Sequence, residues 1–231
     1  MSIQELIDNA LLKEEELKSA RIRSGKFSPS SFGRCYRMQF WNRKNEPKSN
    51  PISVEVLRRF KVGNIIHSYA QSFFPQAQRE VIVLSGDDLV GYADIVLENE
   101  VIDIKSCRSY EFKLFKKKGF DVKEEKFQNC LQVCTYALFL NRLKAKLIFI
   151  EKDALDSMEF VLETKDFKKN IEEELEMLRG YWKQDKLPPP LPRAYGGNEG
   201  KYCSFQLKCL EMGFDCINKK NIIIDKNRSD F

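Results

Sequence analysis

The sequence predicts an α/β fold built on a mixed β-sheet flanked by helices. Residues 79–106 hold three short β-rich runs, REVIVLS, LVGYADIVLE and EVIDIKS, parted by GDD and EN turns, the pattern of a meander. A helical period returns across about 125–142, and AKLIFIEK at 145–152 then reads as a strong fourth strand. Helices come before, between and after these strands, an order that favours a layered α/β core.

The chain of 231 residues is long enough for one sizeable core, and its 42% hydrophobic and 32% charged content excludes a disordered chain. Residues 1–26 read as an amphipathic surface helix. Its acids stand where an export signal would be basic and apolar, and no run approaches a membrane span. An intracellular, cytoplasmic protein without a membrane partner is expected, and a phage-encoded protein acting in the host cytoplasm is compatible with this.

Residues 27–185 form the expected core. In FSPSSFGRCYRMQFWNR, Ser30 or Ser31 is placed to cap a helix starting near Phe32. NEPKSNP is a loop, and the next helix spans about Val54 to Phe74, ended by Pro75. The stretch 107–124 is polar and basic with no clear period. MEFVLET is a plausible fifth strand and DFKKNIEEELEMLRGYWKQ a long amphipathic helix. Residues 186–200, KLPPPLPRAYGGNEG, form a Pro/Gly linker leading to a cysteine-bearing segment, 201–231.

The net charge of +5 is uneven. Arg21 to Lys61 carries eleven bases against two acids, and Lys105 to Lys126 eight against four. Such patches suit a polyanion, so Arg34, Arg37, Arg43 and the 105–126 stretch are candidate phosphate contacts. Seven cysteines, an odd number in a chain expected to stay in the cell, argue against a disulfide framework. Cys130 and Cys134 fall in an apolar helix, where thiols commonly act as small hydrophobes.

Asp94 and Asp103 interrupt two consecutive apolar strands, and Lys105 shares a strand face with Asp103. Two close carboxylates repel unless protonated or holding a cation. Mg²⁺ or Mn²⁺ is the natural counterion, and the lysine could orient a water attacking phosphate. The alternative is a satisfied ion pair. His67, the sole histidine, lies on the helix before the sheet and is either a third ligand or a packed residue. Gln132 and Tyr136 share a helix face four residues apart, and their polar tips need partners inside the fold.

These residues resemble the PD-(D/E)xK nucleases of restriction-endonuclease-like fold, in particular the RecB-like branch that includes the CRISPR-associated exonucleases with an iron–sulfur cluster. GYAD and DIK match the acid strands, GNIIH (Gly63 to His67) the GxxxH motif, and QVCTY (Gln132 to Tyr136) the QxxxY motif. The resemblance spans about residues 27–216. Ala93 stands where proline is usual in the superfamily, and Asp103 where this branch usually has glutamate.

The resemblance implies a divalent-metal-dependent DNA exonuclease acting on single-stranded ends. Its settings would be recombination, repair, phage replication or CRISPR spacer acquisition, with a helicase, recombinase or integrase as possible partner. His67, Asp94, Asp103 and the Ile104 carbonyl would hold metal; Lys105, Gln132 and Tyr136 would complete the catalytic set. It also implies a 4Fe–4S cluster on one N-terminal and three C-terminal cysteines. Cys203 and Cys209 match the second and third positions of C-x2-C-x5-C, but the first is Gly200; Cys35, Cys203, Cys209 and Cys216 are the available set. Such a tail would pack on the N-terminal helical region. A non-catalytic DNA-binding or assembly subunit is the alternative, and no Walker motif supplies an ATP motor.

Overall fold

In the computed structural model, which describes residues 1–21, 24–194 and 197–217, one five-stranded sheet organises the chain. The part of the tail beyond Ile217 lies outside the described residues. The strands β1 (Gln78–Ser85), β2 (Leu89–Val96), β3 (Glu100–Cys107), β4 (Lys144–Glu151) and β5 (Ser157–Glu163) lie side by side in that order. All neighbours are antiparallel except β3 and β4, which run parallel. A parallel step needs a crossover. It is made by α4 (Ser109–Phe115), α5 (Val122–Glu125) and α6 (Phe127–Phe139), numbered after α1 (Ile3–Ser19), α2 (Tyr36–Arg43) and α3 (Val54–Ser72). The helices α7 (Thr164–Lys183) and α8 (Gln206–Glu211) follow the sheet.

Local chemistry accounts for most of these elements. Ser2 and Glu5 form a reciprocal capping box at the start of α1. On α6 every residue from Cys130 to Ala137 is buried, as its apolar composition demands. The strand β3 is central, so Val101, Ile102 and Ile104 are covered on both faces. On one face Ile66 and Ala70 of α3 meet Ile95, Ile102, Ile104, Ile148 and Ile150. On the other, Cys130, Leu131, Val133 and Cys134 of α6 join Phe149, Leu162 and Ile171 in the main core.

Two local expectations are corrected. The helix expected near Phe32 starts at Tyr36: Pro29–Ser31 is a single 3-10 turn, and Gly33 takes φ +74. A left-handed residue forces the chain to turn before a helix can begin, so neither Ser30 nor Ser31 caps it. The stretch 107–124 is not aperiodic coil, because it contains α4 and the start of α5. Those helices bury only Phe112, Phe115 and Val122, too few positions to leave a period in the sequence.

The tail docks on the N-terminal helical region. The Trp41 and Phe205 rings meet at 5.2 Å, and the backbone N–H groups of Ser49 and Asn50 donate to the Ser204 carbonyl at 2.9 and 3.0 Å. Among the described residues no helix is long and apolar enough to cross a membrane.

Candidate active site and a cysteine-lined pocket

Asp94 and Asp103 face each other where the β2–β3 ladder opens. That ladder pairs only Ile95 with Ile102 and Val96 with Val101. One step further on, Asp94 Oδ2 accepts from the Ile104 backbone N–H at 2.8 Å, so a carboxylate takes an amide the ladder leaves free. Ile104 thus enters the site through its N–H. Asp94 Oδ2 also lies 2.9 Å from His67 Nε2. This contact, against the opposing effect of burial, raises the imidazole pKa above its ordinary value.

Asp103 is fully buried. Its Oδ1 accepts from Gln132 Nε2 at 3.1 Å, and its Oδ2 lies 2.7 Å from Lys105 Nζ without an aligned hydrogen bond. Burial, only partly offset by Lys105, pushes its carboxyl up to about 6. The Lys105 ammonium is thus the charge this buried oxygen faces. Gln132 Nε2 also lies 3.3 Å from the Tyr136 hydroxyl, so the predicted pair converges on the predicted acid.

Two glycines explain why these motifs share a fold. A Cβ at Gly91 would stand 2.6 Å from Tyr136 Cε1, so the first residue of GYAD makes room for the last of QVCTY. A Cβ at Gly63 would lie 3.3 Å from Ser106 Oγ, so GNIIH lets α3 cross β3 closely one turn before His67.

Sequence reasoning missed Glu80. It stands on β1 opposite Asp94, with φ +50, and is skipped by the β1–β2 ladder. Gln71 fixes it, donating at 2.7 Å to Glu80 Oε1 and at 3.1 Å to the Asp94 carbonyl. His67, Glu80 and Asp94 each present a ligand atom within 4.8 Å of the others. Asp103 stands beside that group rather than in it. The usable signal was Gln71, four residues after His67 on the same helix face. Nitrogen and carboxylate donors suit Mn²⁺ or Mg²⁺. Glu80→Ala should weaken Mn²⁺ binding about tenfold in calorimetric titration; unchanged affinity would reduce Glu80 to a partner for Gln71.

The second cluster lies at the tail. Cys35, Cys203, Cys209 and Cys216 line one narrow pocket with Arg37, Trp41, Glu199 and Gly200. Glu199 is buried and accepts from the Cys35 backbone N–H, Arg34 Nε and the backbone N–H groups of Arg193 and Ala194. It thereby pins the linker to α2. The Cys209 thiol is held down to about 7 by its hydrogen bond with Cys216, which is raised in turn, while burial pushes Cys35 up to about 12. Among the described residues no three of these sulfurs lie mutually within 4.8 Å. A tetrahedral zinc site with Zn–S of about 2.3 Å needs about 3.8 Å between sulfurs.

The expected phosphate contacts fare differently. Arg37 and Arg43 are buried: Arg43 stacks on Phe27 and Trp182 at 4.4 and 4.0 Å, and Arg34 pairs with Glu199. Positive charge alone does not reveal such aromatic partners. Cys130 and Cys134 lie in the main core.

A mixed five-stranded sheet flanked by helices, with acids clustered where β2 and β3 part, defines a mixed α/β fold. Solved structures sharing it include the crystal structure of SSO0001, at 20% identity over 90% of this chain and 96% of that one, TM-score 0.58. An alkaline exonuclease (LHK-Exo) from Laribacter hongkongensis matches at 13% identity over 71% and 90%, TM-score 0.53. The LHK-Exo complex with dAMP matches at 16% over 74% and 93%, TM-score 0.52. Neither the models of known protein families nor the curated proteins contain a match.

Proposed function

We propose that this chain is a divalent-metal-dependent deoxyribonuclease that hydrolyses phosphodiester bonds at single-stranded ends. The observation that carries the reading is Asp103: a fully buried carboxylate held between Lys105 and Gln132, beside His67, Glu80 and Asp94. A bound Mg²⁺ or Mn²⁺ would supply Lewis-acid activation of water and phosphate. His67, Glu80, Asp94 and Asp103 would hold it, with the Ile104 carbonyl as a further donor. Lys105 orients the attacking water and offsets charge developing on the phosphoryl group. Gln132 keeps Asp103 in place, and Tyr136 holds Gln132. The likeness to an alkaline exonuclease, one of whose structures contains dAMP, supports DNA as the substrate.

The four pocket cysteines are proposed to hold a 4Fe–4S cluster that clips the tail to α2. Their convergence on one pocket supports it. So does the fit at Gly200, where a Cβ would lie 2.0 Å from the Cys216 carbonyl oxygen. Cys216 thus comes in where residue 200 has no side chain.

The test is end-labelled linear and circular DNA incubated with Mg²⁺ or Mn²⁺. Linear single strands should shorten, circles should survive, chelator should stop the reaction, and Lys105→Ala should cut at least about 100-fold more slowly with DNA affinity retained. Binding without cleavage under either metal would instead support a DNA-binding subunit that keeps a nuclease fold.

A further inference from the structure

Arg37 poses a physical problem that the fold alone does not solve. The residue is 5% exposed, and its guanidinium packs on the Trp41 and Phe214 rings, at 5.6 and 4.6 Å to their centroids. Its Nε donates to the Pro188 carbonyl at 2.7 Å, while Nη1 is buried without a hydrogen-bond partner. No carboxylate forms an ion pair with it among the described residues. Glu199, the carboxylate in the same pocket wall, is engaged by Arg34 and by backbone N–H groups. A buried cation without a counter-charge costs several kcal/mol. Ring faces and one carbonyl do not neutralise it.

What Arg37 does face is sulfur. It lines the pocket with Cys35, Cys203, Cys209 and Cys216 and lies against the Cys209 thiol. Four thiolates around an iron–sulfur core form a centre of net negative charge, so an anion would stand where the arginine needs one. We propose that Arg37 is the internal counter-charge of an anionic metal–thiolate centre, and a positioning residue that sets its stability and reduction potential. This rests on the cluster reading above. The arginine deepens that reading, because it explains a residue that neither packing nor DNA binding accounts for.

The role predicts a reversal of sign. With the centre present, Arg37 is half of a charge pair, and Arg37→Met leaves the other half uncompensated. With the centre removed, Arg37 is itself the uncompensated charge, and a methionine of similar volume relieves it. R37M should therefore melt lower than wild type by at least about 3 °C when iron-loaded, and higher by a similar margin after anaerobic chelation. Dithionite titration followed by electron paramagnetic resonance gives a second reading. Removing a positive charge disfavours the more negative reduced state, so one-electron reduction of R37M should be about tenfold less favourable, a midpoint about 59 mV lower.

Wild-type protein purified without oxygen and lacking iron would end the cluster reading before any variant is made. Iron-loaded wild type, with R37M melting lower in both states or failing to fold without iron, would make Arg37 a packing residue and overturn the proposal. An R37M midpoint equal to that of wild type would overturn it as well.

Discussion

Replacing Asp103 by asparagine should slow cleavage at least about 10³-fold, roughly 4 kcal/mol of barrier, while raising the melting temperature of the metal-free protein. Asparagine keeps the shape and can still accept from Gln132, so the packing of α6 on β3 survives. It removes the charge that would draw a cation to the buried end of the site. The stability gain follows from burial, which lifts the Asp103 carboxyl to about 6 despite Lys105. An unfolded aspartate titrates near 3.9, roughly two pH units lower. Between about pH 4 and pH 6 the folded wild type therefore binds more protons than the unfolded chain, and its stability falls as pH rises through that window. D103N has no such titration. Its advantage over wild type should grow from about pH 4 to pH 6 and stay level above. Melting curves in chelator across this range, with cleavage assays in Mg²⁺ or Mn²⁺, read both effects. Wild-type cleavage by D103N would remove Asp103 from the chemistry, and uniformly lower melting at every pH would make it a structural anchor instead.

The meander, the mixed character of the sheet and the helix carrying Gln132 were legible because each long element has one repeating demand. Strands β2 and β3 need apolar residues on both faces, so an acid there stands out, and Asp94 and Asp103 both do. That Gln132 and Tyr136 share a helix face follows from helix period, but their meeting with Asp103 exists only once α6 packs on β3. Glu80 was not legible: a glutamate at the start of an exposed strand looks like surface, and its left-handed backbone leaves no mark on residue type. Arg37 and Arg43 were misread for a related reason. A basic residue is exposed or buried according to partners distant in sequence, here Phe214 for one and Trp182 for the other. Gly91 was visible as part of a motif, but its reason, the edge of the Tyr136 ring, exists only once β2 and α6 are packed together.

Putting a cysteine at position 200 should destroy the proposed cluster site rather than complete it. The family pattern places its first C-terminal ligand at that position, so Gly200→Cys looks like a repair. The structure argues the opposite. A Cβ there would lie 2.0 Å from the Cys216 carbonyl oxygen, 2.6 Å from its carbonyl carbon and 3.0 Å from its Cβ. Two of those atoms are backbone, which no rotamer change can move, so residue 216 must shift for any side chain to fit at 200. Residues 200 and 216 are thus reciprocal: one brings a sulfur because the other brings nothing. Gly200→Cys and Gly200→Ala should both lose most of their iron and expose residues 201–217 to protease, with overpacking of about 1–3 kcal/mol or more as the common cause. The alanine variant shows that the loss is steric rather than a matter of a competing thiol. Cys216→Ser should lose iron without that overpacking, and the double variant Gly200→Cys with Cys216→Ser should not recover it, because the backbone at 216 still occupies the space. Iron content, visible absorbance and limited proteolysis on the four proteins decide the matter. Wild-type iron in the double variant would mean that the tail swings clear and position 200 can serve as a ligand, and the reciprocal arrangement would be abandoned.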